Sequence, residues 1–126
     1  MNDSIFSKII KGEIPAHKVY EDDKTLAFLD IHPETPGHTL VVPKIEVDKI
    51  YELPDEYYIA IWNTARKIAA KLEKVSGQRS FMKVVGTDVP HAHIHVFSLD
   101  PEHPPIPQPT QASDDDLAQM AIRLHL

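Results

Sequence analysis

The chain has no cysteine among its 126 residues. That excludes disulfides, thiolate-bound zinc and a cysteine nucleophile. No apolar run approaches the roughly 18 residues of a membrane span, and the first residues lack the basic-then-apolar pattern of a leader. A soluble, cytoplasmic protein without a membrane partner is therefore expected. Cations are the scarcer charge, 13 Lys and Arg against 19 Asp and Glu, for a net charge of −6. Binding a nucleic-acid polymer draws on clustered Lys and Arg that release counterions, so this balance counts against such a partner. It leaves room for a small phosphate ligand held by a few local groups. At 42% hydrophobic and 25% charged, the composition is that of one ordinary globular domain. Two residue types are abundant instead: eight histidines and eleven prolines.

Periodicity places the elements. Ser4 to Lys11 carries Ile5, Ile9 and Phe6, Ile10 at i,i+4 spacing before Gly12, which predicts a short helix. The runs 19–21 and 25–30 flank Asp22-Asp23-Lys24 as a hairpin with an acidic turn, and 38–42 forms the next strand before Pro43. A long helix runs from Pro54 to Gly77, with Asp55 and Glu56 in its first turn and an apolar stripe of Ile61, Ala65, Ile68, Leu72 and Val75. Strands are expected over 81–85 and 92–99. Five prolines between 101 and 109 forbid helix and discourage pairing, so this stretch reads as an extended connector. Ser113 then starts a helix with the stripe Leu117, Met120, Ala121 and Leu124. This order lacks βαβ alternation and predicts an α+β fold, an antiparallel sheet with helices packed on one side. Residues 1–99 form the main body. Residues 100–126, the connector and last helix, belong to the same domain.

The informative segment is His91-Ala92-His93-Ile94-His95-Val96-Phe97. Side chains alternate along a strand, so His91, His93 and His95 share one face while Ala92, Ile94 and Val96 turn to the core helix. Three readings stand at this point. The face is simply polar and solvated. Alternatively it holds a metal, although neighbouring same-face imidazoles lie about 6.6–6.8 Å apart along a strand and no cysteine completes the shell. In the third reading one imidazole attacks phosphorus, while its neighbours orient it and donate protons.

The segment resembles the histidine triad family of nucleotide hydrolases and transferases, whose pattern is His-x-His-x-His-x-x with apolar x. Ser4 to Ala16 is similar to the family's opening helix and turn, 20–31 to its nucleoside-binding strand, and Pro36 to Lys44 to the segment with a fourth active-site histidine. The resemblance implies that His93 is the nucleophile on the α-phosphorus, that His95 binds phosphate and assists the leaving group, that His91 orients His93, and that His38 completes the cluster. It implies that Asp30 accepts from the ribose hydroxyls and that Ile5, Phe6, Ile9, Phe28, Leu29 and Ile31 line the base pocket, with Thr87 donating to phosphate. The implied ligand is a purine nucleotide such as adenosine monophosphate, or a nucleotide conjugate. Phosphoramidates and dinucleoside polyphosphates are the implied substrates, with no cofactor and no metal, and the implied assembly is a homodimer. Two further readings are a nucleotide-binding module with little catalysis and a His-ligated metal-dependent hydrolase.

The chain departs from the family pattern in places. Ser4 and Ser7 stand where many members carry the cysteines of a structural zinc site. Only Gly86-Thr87-Asp88-Val89-Pro90 replaces the usual glycine-rich phosphate segment, and Asp88 is expected to repel phosphate unless it turns away or meets a cation.

Overall fold

In the computed structural model, which describes residues 4–103 and 109–126, the apolar periodicities become three helices and five strands. Part of the expected proline connector, 104–108, lies outside the described residues. Helix α1 is Ile5–Ile10, started by Ser4, whose Oγ accepts from the Ser7 N–H. Strands β1 (Lys18–Glu21) and β2 (Thr25–Leu29) are joined by the acidic turn, where Asp22 Oδ1 accepts from the Lys24 and Thr25 N–H groups. Strand β3 is Thr39–Pro43. Helix α2, Asp55–Ser76, ends at Gly77, whose left-handed conformation lets its N–H reach the Glu73 carbonyl at 3.0 Å. A short 3-10 turn at Ile50–Glu52 precedes it. Strands β4 (Ser80–Lys83) and β5 (Ile94–Ser98) follow, and α3 is Asp114–Leu124, capped by Ser113.

The strands form one antiparallel sheet in the order β1-β2-β3-β5-β4. The class is the α+β fold expected, but the helices do not share a side. Ala27, Val41, Ile94 and Val96 face α2 through Ile61, Ala65, Ala69 and Leu72. Leu26, Phe28, Leu40 and Val42 face the other way, onto Phe6 and Ile9 of α1. The reason lies in β2 and β3. Residues Thr25–Phe28 and all of β3 are buried, a near-continuous apolar run that needs cover on both faces. One turn and a half of α1 supplies the second cover. Helix α3 buries none of its side chains.

Two local features aim the histidines. Gly37 holds φ +89°, and a Cβ there would lie 2.5 Å from Leu72 Cδ1, so only glycine makes this turn into His38 without strain. Strand β5 begins two residues later than expected, because its approach pairs elsewhere. The His91 N–H donates to the Val89 carbonyl at 2.8 Å and the Ala92 N–H to the Val47 carbonyl at 2.7 Å. His91 and His93 thus sit in an extended approach to the strand and His95 within it.

Candidate functional site

The histidine face is the α1 face, and it is not solvated. His38, His91, His93 and His95 are all buried, His91 completely. Phe6 sets its ring edge against His93 at 4.9 Å and against His91 at 6.0 Å between centroids. His95 lies parallel to Phe97, which stacks on Phe81.

Burial forces each ring nitrogen to find a partner, and the partners fix the tautomers. His93 Nδ1 is 2.7 Å from the carbonyl of His91, which can only accept. The proton therefore sits on Nδ1, and Nε2 keeps its lone pair. The Glu34 N–H donates to His38 Nδ1 at 3.2 Å, so the His38 proton is on Nε2 and is given to His95 Nδ1 at 3.0 Å. His95 in turn carries its proton on Nε2. The result is a free lone pair on His93 Nε2 beside a free N–H on His95, with ring centroids 4.9 Å apart. These two Nε2 atoms are buried and make no hydrogen bond among the described residues.

Electrostatics hold His95 in its neutral form. Burial pushes His95 down to about 4, with repulsion from His93 and His38 adding to it. His38 is also lowered by burial, against the pull of Asp30 and Glu34. Asp88 meets His93 directly, Oδ1 lying 3.2 Å from Nε2. Burial pushes the Asp88 carboxyl up, but backbone N–H donors and the adjacent His93 and His95 outweigh it, and the carboxyl lies below its usual range. A cavity of about 320 Å³ opens beside these groups, lined by His32, Glu34, His38, Lys83, Asp88 and His95. Asp88, His93 and His95 bring ligand atoms within 4.8 Å of one another, as do Asp30, His38 and His95.

The remaining expected residues divide. Phe6, Ile9 and Phe28 come together over the histidines, with Phe6 and Phe28 edge to face at 5.6 Å. Asp30 is half-buried; one oxygen accepts from the His32 N–H and the other lies 3.6 Å from His38 Nε2. Ile5, Ile31 and Thr87 are exposed. Leu29 requires correction as a base-pocket residue. The twofold alternation of β2 puts it with Ala27 on the α2 face, where it lines a groove with Val19, Ile68, Leu72 and Val75. Sequence reasoning missed Glu46, whose Oε2 lies 3.2 Å from His91 Nδ1, and Glu34, whose backbone sets the His38 tautomer. Glu46 sits in an aperiodic stretch that carries no signal. A backbone donor has none to give.

Residues 11–102 match the family model described as HIT domain. The chain belongs to the HIT domain family. Adenosine 5'-monophosphoramidase HNT1 of Saccharomyces cerevisiae is 37% identical to it over 74% of this chain and 60% of that one. Adenylylsulfatase HINT3 of Arabidopsis thaliana is 37% identical over 76% of this chain and 52% of its own length. The crystal structure of a histidine triad nucleotide-binding protein from Candida albicans superposes with a TM-score of 0.79 at 32% identity, covering 97% of this chain and 94% of that one. No described helix is long and apolar enough to cross a membrane.

The depressed His95 makes folding pH-dependent. Above its ordinary value of 6.5 both folded and unfolded chains hold it neutral, and its contribution is complete. As pH falls, the unfolded chain takes up the proton first, and the contribution is lost as pH falls through about 4. Urea titrations from pH 7 to pH 4 should show this as a loss on the order of 3 kcal/mol, to which His38 adds in the same direction. His95→Gln should flatten the profile.

Proposed function

We propose that this HIT domain is a nucleotide hydrolase or nucleotidyl transferase acting at the α-phosphate through a covalent nucleotidyl-His93 intermediate. The observation that carries the reading is the buried pair of Nε2 atoms, one left with a lone pair and one a donor by the tautomers above, neither making a hydrogen bond among the described residues. In the first step the His93 Nε2 lone pair forms the bond to phosphorus and the bond to the leaving group breaks. The His95 N–H donates to a phosphate oxygen or the leaving atom. The positive charge arising on His93 is stabilised through its Nδ1–H bond to the His91 carbonyl. Water then attacks phosphorus, giving its proton to His95 Nε2 as the bond from phosphorus to His93 breaks and the lone pair returns to His93 Nε2. Asp30 accepts from the ribose hydroxyls, and Phe6, Ile9 and Phe28, with exposed Ile5 and Ile31 at the margin, hold a purine base. Thr87 offers a donor to phosphate from the loop. Phosphoramidates are the favoured substrate class, in keeping with the relative named as an adenosine 5'-monophosphoramidase; dinucleoside polyphosphates share the same α-phosphate.

A second reading has a specific observation in its favour. Asp88 Oδ1 stands 3.2 Å from His93 Nε2, where a phosphate must arrive. A module that binds nucleotide and turns it over poorly is consistent with that contact. We also propose a homodimer. Strand β4 is a sheet edge with Met82 exposed, and α2 presents Tyr58 and Trp62, whose Nε1 is buried without a partner among the described residues.

His93→Ala should lower turnover of an adenosine phosphoramidate by several orders of magnitude while adenosine monophosphate still binds. A chiral thiophosphate substrate should give net retention at phosphorus, because two inversions occur; net inversion would overturn the covalent step. Asp88→Ser should strengthen adenosine monophosphate binding, with the gain shrinking as salt screens the charge. Weaker binding at low salt would show that the carboxylate helps hold the ligand. Sedimentation should give twice the 14.2 kDa chain mass. A concentration-independent single-chain mass would exclude the dimer.

A further inference from the structure

His91 is fully buried, and both of its ring nitrogens are engaged. Nε2 lies 3.0 Å from the Pro43 carbonyl, which can only accept, so the proton is there. Nδ1 then presents a lone pair, and the nearest atom to it is Ser4 Oγ at 2.8 Å, with Ser7 Oγ at 3.3 Å and Glu46 Oε2 at 3.2 Å around it. The Ser4 hydroxyl donates to His91 and at the same oxygen accepts the Ser7 N–H at 3.0 Å. Its backbone N–H is taken by Glu46 Oε1, also at 3.0 Å. One serine therefore ties three things together: the first turn of α1, the segment after β3, and the first histidine of the triad.

We infer that Ser4, anchored by Glu46, is a positioning residue for the nucleophile His93, acting through His91 and α1. The inference rests on the reaction proposed at His93. Two routes run from Ser4 to that ring. Clamping the His91 ring from both sides adds to the Val89 and Val47 bonds that hold the backbone of residue 91, whose carbonyl receives the His93 Nδ1–H and so dictates which nitrogen is free to attack. Pinning the start of α1 fixes Phe6, the ring that closes over His93. Without the hydroxyl, His91 Nδ1 is left buried without its nearest donor, a situation that costs about 1–3 kcal/mol and that rotation of the ring relieves. The His91 carbonyl belongs to the peptide that the Ala92 N–H pins to Val47, so the turned ring acts on His93 by straining that peptide and by displacing Phe6, which packs on both rings. The role is separable from helix capping, because glycine at a cap position costs only a few tenths of a kcal/mol relative to serine yet supplies no hydroxyl.

The test compares Ser4→Gly, Ser4→Thr and Glu46→Ala in the full chain, using turnover of an adenosine phosphoramidate and nitrogen-15 chemical shifts of the histidine rings. Ser4→Gly should lower kcat about tenfold, the worth of one hydrogen bond, with KM changed less than kcat. The Nδ1–H tautomer of His93 should lose population in the same variant. Ser4→Thr should restore both, and Glu46→Ala should shift both in the same direction by less. Glu46 is partly exposed, so its alanine variant keeps the test open should Ser4→Gly fail to fold. An unchanged His93 tautomer in either loss variant would overturn the inference, as would a fall in kcat that threonine does not rescue. Absence of turnover in the unmodified protein would count against the proposed reaction alone, since the ring shifts still report the positioning.

Discussion

Four imidazoles are buried side by side in this domain, and a buried ring nitrogen without a partner is expensive. That constraint orders the site. Backbone groups supply the fixed ends: the carbonyls of Pro43 and His91 accept, and the N–H of Glu34 donates. Each end propagates through a ring to its far nitrogen, because a neutral imidazole has one donor and one acceptor. The chains from Glu34 and from His91 terminate on neighbouring atoms of opposite character. Only there is the constraint left unmet, and the proposed function uses those two atoms.

The sheet makes that arrangement possible by being covered twice. A strand apolar on one face alone would have left the triad in water, where tautomers interchange and solvent competes for every nitrogen. Helix α1 prevents this with few residues. Phe6 and Ile9 close over Leu26, Phe28, Leu40 and Val42, and the same closure brings the Phe6 ring onto His93. Packing and site chemistry are thus one contact rather than two.

Much of this was legible in the sequence because it is periodic. The stripe Ile61, Ala65, Leu72 located α2 and its buried face, and the spacing of His91, His93 and His95 placed three imidazoles on one side. Element boundaries moved by a residue or two, as they do where hydrogen bonds rather than side chains decide, with β5 shortened because Ala92 pairs with Val47. Leu29 went to the wrong face for a simple reason: it belongs to an apolar run in which hydrophobicity alone does not tell one side from the other. The side chosen by α1 was equally silent, since both faces of β2 and β3 are apolar. Glu46 and Ser4 meet His91 across more than forty residues of chain, and nothing in a linear pattern announces such a pairing.

Asp88 is the residue on which charge and chemistry oppose each other. A carboxylate 3.2 Å from His93 Nε2 is attracted when a proton lies between them and repelled when only the lone pair faces it. The tautomer set by His91 leaves the lone pair. An incoming nucleotide brings a second anion toward the same point, in a chain that already carries a net charge of −6. In the proposed reaction the phosphate is favoured by the chemistry itself: phosphorus would accept the lone pair that the carboxylate can only repel, and the His95 N–H beside it would take up charge on oxygen. Lys83, with Glu34 3.9 Å away, borders the same cavity and offsets part of the negative field. Neutral imidazoles suit such a place, because attack requires an available lone pair more than it requires a positive pocket. The depressed His95 follows from the same burial that fixes the pair.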